Sequence, residues 1–301
     1  MKTLAIAACI AAAALSSAAA TAQTLYAVTV RTYSDPGYTG VEGNIYMVDT
    51  GNAALTLVSS LRLGDTPIGL DGLAVHPRTG VFYGITAPTS RIIPSSLVSV
   101  DPATGEVTLI GRLGHVGSDI SFDPDGTLFV WLSDMRQLGT VNLDTGAATP
   151  RGAPLGEGAS KGGLALIGGG RALIAATGGT GTLDLVDLVT GKISTGRTLT
   201  GAPFPDLING LAYSPDGVLY AVNTNFGGTS RADLVKIDVR TGLVTKVGPL
   251  PNDTDALAFG PTPSKSSGMT ARLRDWRIPA IAVLLVLVVG FVFLVLRSGK
   301  R

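Results

Sequence analysis

Asp71, Asn209 and Asp255 each open a near-identical phrase, DGLAV, NGLAY and DALAF. Two further copies of that phrase place Ser118 and Gly162 in the same position, with Asp119 next in line. Carboxylate and amide oxygens are hard donors, and three that converge suit Ca²⁺ or Mg²⁺. An Asp or Asn at that position also serves as an Asx-type cap on the preceding loop, which needs no metal. His115 lies close to Ser118 and Asp119, the residue types of a Ser–His–Asp set. Three residues of one glycine-rich loop do not readily take that geometry. His76, the other histidine, falls in a turn where solvent covers it. The glycine clusters at 168–182 read as turns, because none opens a helix that would hold phosphate. Asn252-Asp253-Thr254 matches a glycosylation sequon, with nothing else in the chain to support it.

The composition narrows the setting for such groups. Of 301 residues, 45 % are apolar, 15 % charged and 6 % aromatic, with 40 glycines and 17 prolines. Charge lies below the usual ~25 % and glycine above the usual ~7 %. This excludes a coiled coil, a charged disordered tail protein and a nucleic-acid binder with a strong basic field. It favours many short strands joined by glycine turns. The near-neutral total conceals a division: residues 23–264 carry 15 basic and 21 acidic side chains, and the rest of the C-terminal end is basic. An acidic body argues against nucleic acid and against lying on an anionic membrane face.

Both ends carry an apolar segment. Residues 1–22 have a Lys2 start, an alanine-rich run and a small-residue Ala20-Thr21-Ala22 site, the pattern of a signal peptide cut before Gln23. The rival, a lipobox at Ile6-Ala7-Ala8-Cys9, leaves almost no apolar run ahead of Cys9. Cys9 is the single cysteine, so a chain cut at 22 has no disulfide, thiolate nucleophile or cysteine metal site. Residues 278–296 form an uncharged stretch rich in Val and Leu, which as a helix spans ~28 Å, close to the hydrocarbon core. Pro279 falls in its first turn, where proline costs little, and Trp276 takes the interfacial position. Residues 261–277 read as a flexible linker and juxtamembrane segment, and 297–301 as a basic cytoplasmic tail. The linker holds neither a PEP nor an LPXTG sorting signature. The expectation is a single-pass cell-membrane protein with its body, 23–260, on the periplasmic or extracellular side.

Internal repeats decide the fold of that body. NGLAYSPDGVLYAVN followed by ADLVKIDVRTGLVTKVG is the clearest copy, and DGLAVHPRTGVFYGIT followed by SSLVSVDPATGEVTLIG is another. A Thr-Gly turn recurs at Gly51, Gly105, Gly146, Gly191 and Gly242, each preceded by an acid, Asp49, Asp101, Asp144, Asp187 and Asp238. Tyr26, Tyr83, Phe129, Leu173 and Tyr220 mark one further column. Each repeat holds four short alternating strands, A to D from the inside out, at the ~40–50-residue step of propeller blades. Asp-Gly suits a tight A–B hairpin. The acid can accept N–H bonds across the C–D turn while glycine supplies positive φ. The chain begins on a B strand at Leu25 and ends on an A strand at 255–259, so the two orphans pair only if the ring closes. The spacing therefore predicts an all-β, five-bladed β-propeller of four-stranded blades, plus the C-terminal transmembrane helix. Its weakest D strands are at 147–150 and 192–196, and Trp131 packs between blades.

The repeat resembles secreted bacterial propellers of the NHL, YVTN and gluconolactonase type over about 25–260. The resemblance speaks for architecture and poorly for function. Asp71-Gly72 and Asn209-Gly210 look like the positions where gluconolactonase-type propellers hold their metal, which implies a metal-activated water or a polarised lactone carbonyl. Those enzymes are six-bladed and use a glutamate ligand, whereas Glu42, Glu106 and Glu157 all lie outside the A strands here.

In this arrangement the D–A and B–C loops share one face. They are long, at 30–43, 61–71, 151–162, 197–209 and 223–232, while the turns of the other face are short. Long loops on a rigid scaffold suit recognition, and Tyr33, Tyr38, Phe204 and Phe226 supply aromatics there. The expected function is a binding module for a protein, peptide or glycan of the cell envelope. The alternative is a metal-dependent, lactonase-like hydrolase with Ca²⁺ or Mg²⁺ on Asp71, Asn209 and Asp255.

Overall fold

The computed structural model describes residues 23–30, 43–155, 160–177, 181–204, 207–225 and 231–262. The signal peptide, the segment 278–296 and the basic tail lie outside them, as do Tyr33, Tyr38 and Phe226. Among the described residues no helix is long and apolar enough to cross a membrane.

The described chain is all strand and turn. The first blade takes β1 (Gln23–Thr29), β2 (Asn44–Val48) and β3 (Leu55–Ser60). A small hairpin, β4 (Arg62–Leu63) and β5 (Thr66–Pro67), follows in the loop to the second blade. That blade is β6 (Gly72–Val75), β7 (Phe82–Ile85), β8 (Ser96–Val100) and β9 (Val107–Arg112). The third is β10 (Gly117–Phe122), β11 (Leu128–Leu132), β12 (Gln137–Val141) and β13 (Ala148–Arg151). The fourth is β14 (Ser160–Gly168), β15 (Arg171–Thr177), β16 (Thr182–Asp187) and β17 (Ile193–Thr198). The fifth is β18 (Leu207–Tyr213), β19 (Leu219–Asn225), β20 (Arg231–Ile237) and β21 (Val244–Leu250). One bridge, Thr177 to Leu207, links the fourth and fifth sheets. The last strand, β22 (Thr254–Pro261), returns to the first blade and pairs antiparallel with β1, Tyr26 opposite Ala258. The ring is thus closed by the two chain ends, and the sheet runs β22-β1-β2-β3.

Position in the blade dictates composition. Strands second and third from the axis are covered on both faces by neighbouring blades, so β11 (LFVWL) is buried throughout, as expected of strands walled in on two sides. The outermost strands keep solvent on one side, and β17 (ISTGRT) is almost wholly exposed. Five apolar clusters fill the five gaps between blades. Trp131 is fully buried with Leu164, Ile174 and Val186 between the third and fourth blades.

The C–D turns show how blades touch. In the first, second, fourth and fifth blades the acid accepts N–H bonds as the sequence suggests, for example Asp49 Oδ1 from Gly51 N at 2.7 Å and Asp238 Oδ1 from Arg240 N at 2.8 Å and Thr241 N at 3.2 Å. In the third blade the acceptor is Asn142, which takes the N–H of Asp144 at 2.8 Å, so Asp144 is not the turn's acceptor. Gly51 is likewise not the left-handed residue of the first blade. The residue bonded back to Asp49 O is Ala53, at φ 60°. It stands where the other turns have Gly105, Gly146, Gly191 and Gly242, all at positive φ. Each of those glycines presses on the outer strand of the preceding blade, and a Cβ on Gly105 would stand 2.0 Å from Ser60 O. At the first blade the roles are exchanged: the turn carries the methyl of Ala53, and the facing outer strand carries Gly248, whose Cβ would lie 2.9 Å from it.

Candidate functional site

The innermost strands, β6, β10, β14, β18 and β22, converge on the axis and line up position by position. Asp71, Ser118, Gly162, Asn209 and Asp255 head them. Gly72, Asp119, Gly163, Gly210 and Ala256 come next, and Val75, Phe122, Leu166, Tyr213 and Phe259 lie further along.

The second tier explains a residue that the repeat alone leaves unassigned. Four blades offer no more than a methyl group there, and Asp119 fills the space they leave. A Cβ on Gly72 would lie 3.3 Å from Asp119 Cα. Asp119 is wholly buried. Its Oδ2 accepts the N–H groups of Leu164 at 2.8 Å and Leu211 at 3.1 Å, and its Oδ1 that of Ile120 at 2.9 Å. One carboxylate therefore ties the inner strands of the third, fourth and fifth blades. Burial pushes its pKa well up, the three N–H bonds pull it down, and the nearby charge of Asp71 adds to the rise.

The first tier brings Asp71, Asn209 and Asp255 together. Asn209 Nδ2 donates to Asp255 Oδ1 at 2.6 Å and to Thr224 Oγ1 at 3.4 Å. The carboxyls of Asp71 and Asp255 hydrogen-bond to each other. Two carboxylates cannot do so without a proton between them, so the pair titrates as a unit. Burial raises Asp71 to about 6, against the bond to Asp255. Asp255 is pushed well up by burial, then by the charge of Asp71. Among the described residues no three His, Cys, Asp or Glu side chains are arranged to hold a metal ion.

These raised values carry a sign. Below about pH 4 folded and unfolded chains both hold the Asp71 proton, and above about pH 6 neither does. Between these limits only the folded state binds it, so its contribution to stability falls as pH rises. Asp71→Asn removes that loss. Its melting temperature, taken relative to the unmodified protein, should climb between pH 4 and 6 and then level off. A difference that stays flat across this range would contradict the raised Asp71 value.

At the other end of the inner strands the tier of Val75, Phe122, Leu166, Tyr213 and Phe259 surrounds a cavity of about 270 Å³ that opens on the short-turn face. A second cavity, of about 160 Å³, lies on the long-loop face. Ile68, Ala87 and Ile92 make it apolar, Thr66 and Ser90 add hydroxyls, and Arg91 adds a cation. Ile92 is 48 % exposed.

No protein-family model matches the chain, and no curated protein matches it in sequence. Among solved structures, a chain of a nidogen/laminin complex is similar, with a TM-score of 0.50 and 11 % identity over 79 % of this chain and 98 % of that one. A hydrazine synthase of Kuenenia stuttgartiensis is similar with a TM-score of 0.39 and 16 % identity, over 69 % of this chain and 60 % of that one. The fold is a β-propeller. At 11 % identity the likeness to the first extends to the fold alone.

The remaining sequence candidates fall as follows. Phe204 is half-buried on the long-loop face. Its backbone is clamped by Asn223, whose Oδ1 accepts Phe204 N at 2.8 Å and whose Nδ2 donates to Phe204 O at 2.9 Å and Leu207 O at 2.8 Å. No Ser–His–Asp set forms around His115. Its Nδ1 pairs with Asp134 Oδ2 at 3.0 Å, Ser118 Oγ donates to Gly162 O at 3.0 Å, and Asp119 is spent on backbone. His76 is half-buried rather than solvated, with its ring 4.9 Å from that of Phe122. Asn223 is a polar side chain that sequence reasoning passed over, and Asp119 one whose partners it misassigned. Asp119 was visible as the one carboxylate in a column otherwise of glycine and alanine. Asn223 sits inside an apolar strand with no repeated signal.

Proposed function

We propose that this chain is a protein- or peptide-binding propeller that meets its partner through the long-loop face. A membrane helix at 278–296 tethers it, with the propeller outside the cytoplasm. The observation that carries the reading is the cleft of Ile68, Ala87, Ile92 and Arg91 on that face. An apolar hollow edged with hydroxyls fits an apolar side chain, with hydrogen bonds setting its orientation. The fold neighbour from a nidogen/laminin complex agrees with a propeller used for protein contact. Every described strand and apolar cluster of the ring lies within 23–261, so fragment 23–262 carries the propeller. A random peptide library selected on this fragment should enrich peptides that share an apolar residue. Ile92→Asp should lose those binders by tenfold or more, since it puts a charge into an apolar contact. Enriched peptides that bind the Ile92→Asp fragment unchanged would place recognition elsewhere.

A second reading, a Ca²⁺- or Mg²⁺-dependent hydrolase of lactones at the channel head, draws on the meeting of Asp71, Asn209 and Asp255. The same pH series run with either cation tests it. A rise in melting temperature above pH 6 that Asp255→Asn abolishes supports it, because a cation would replace the shared proton. No rise removes it.

A further inference from the structure

The funnel on the short-turn face has the build of a ligand site, and we infer that it takes a small organic cation with an apolar body. The reading is independent of the long-loop proposal, since it concerns the opposite end of the axis.

Its walls are rigid and unevenly covered. Val75, Phe259, Tyr213, Phe122 and Leu166 each pack against a different one of the five inter-blade clusters, and each stays only partly buried. One side of each is thus anchored in core, and the other lines the cavity of about 270 Å³. The aromatic walls are held by second rings. Phe122 meets Tyr83 edge-on with centroids 5.5 Å apart, and Phe259 meets Tyr220 edge-on at 5.8 Å. Burial on one side fixes these rings before any ligand arrives, which lowers the cost of binding. A void of ~150 Å³ admits benzene, so this one has room for a ring and a head group.

Charge decides the class of ligand. Among the described residues no Lys, Arg or His lines the cavity, and the ionisable side chains there are Tyr213 and Asp123. Asp123 Oδ1 accepts the Thr127 N–H at 2.9 Å, which fixes the carboxylate at the rim. A carboxylate at a concave site lined by aromatic rings concentrates cations, and Phe and Tyr faces attract ammonium groups directly. A neutral molecule would gain the apolar contact and forgo the rest.

The probe is benzyltrimethylammonium, paired with its neutral isostere neopentylbenzene, titrated into fragment 23–262 at pH 8 by ligand-observed NMR. The cation should bind in the micromolar to low millimolar range and at least about fivefold more tightly than the isostere. Tyr213→Leu and Phe122→Leu should each weaken it about tenfold, and Asp123→Asn about threefold. Leucine keeps the anchored side packed, and a melting curve for each variant separates lost binding from lost fold. No binding at 5 mM ligand, equal binding of the isostere, or binding unchanged in folded Tyr213→Leu each overturns the proposal.

Discussion

Asp119→Ala should lower the melting temperature of the propeller by about 10 °C or more. The substitution leaves the N–H groups of Leu164, Leu211 and Ile120 buried with no acceptor. Each orphaned buried donor costs about 1–3 kcal/mol. Even at the low end, three such losses are a large share of a typical domain's stability, and each kcal/mol moves the midpoint of a domain this size by about 2–4 °C. Asp119→Asn is the informative partner. Its amide oxygen can still serve Leu164 and Leu211, while its NH₂ faces the Ile120 N–H, so it should cost less than half as much. Thermal melts of the two variants decide the matter. Equal losses would mean that the carboxylate fills space and that its bonds contribute little. Losses of under about 3 °C in both would remove Asp119 as the tie between blades.

Gly105→Ala should be nearly as damaging, for a different reason. The turn requires φ +78°, which costs an L-residue about 1–2 kcal/mol. Its new methyl would also stand 2.0 Å from the Ser60 carbonyl oxygen, a backbone atom that moves only if the blade moves. We expect a loss of about 2–4 kcal/mol by chemical denaturation. The first blade offers an internal control. Ala53→Gly removes a left-handed alanine and a small buried methyl, effects of opposite sign and similar size, so it should be near neutral. Gly248→Ala should destabilise, and combining it with Ala53→Gly should recover part of the loss, because the methyl then sits on the other side of one junction. Strict additivity of that pair would show that the two residues do not share the space.

The blades, their four strands and the closure were legible because alternation and turn residues repeat in register through the body. Even the faint outer strands appear, as Ala148–Arg151 and Ile193–Thr198. The errors lie where one copy departs from the repeat in a way its neighbour compensates. Gly51 attracts notice as half of a Thr-Gly pair, yet the left-handed turn residue is Ala53, and the reason is Gly248, 195 positions away in the next blade. Asn142 does in the third blade what an aspartate does elsewhere, and the neighbouring Asp144 is a decoy. At the axis, the column of Asp71, Asn209 and Asp255 was readable. That they would bond to one another is a matter of side-chain direction, which a one-dimensional pattern does not carry. Asp119 was grouped with His115 by nearness in sequence, whereas its partners are Leu164 and Leu211.

The clasp between β1 and β22 also sets a timetable. Of the propeller strands β1 is made first and β22 last, so the first blade stays one strand short until the other four have been made. Until then the β1 edge stays open, and such edges recruit other strands. Long-range pairing of this kind is also slow to form. The late step in folding is therefore expected to be the docking of Thr254–Pro261, with the earlier blades already in place. A chain stopped at residue 253 would be stranded at that stage, assembled but unlatched.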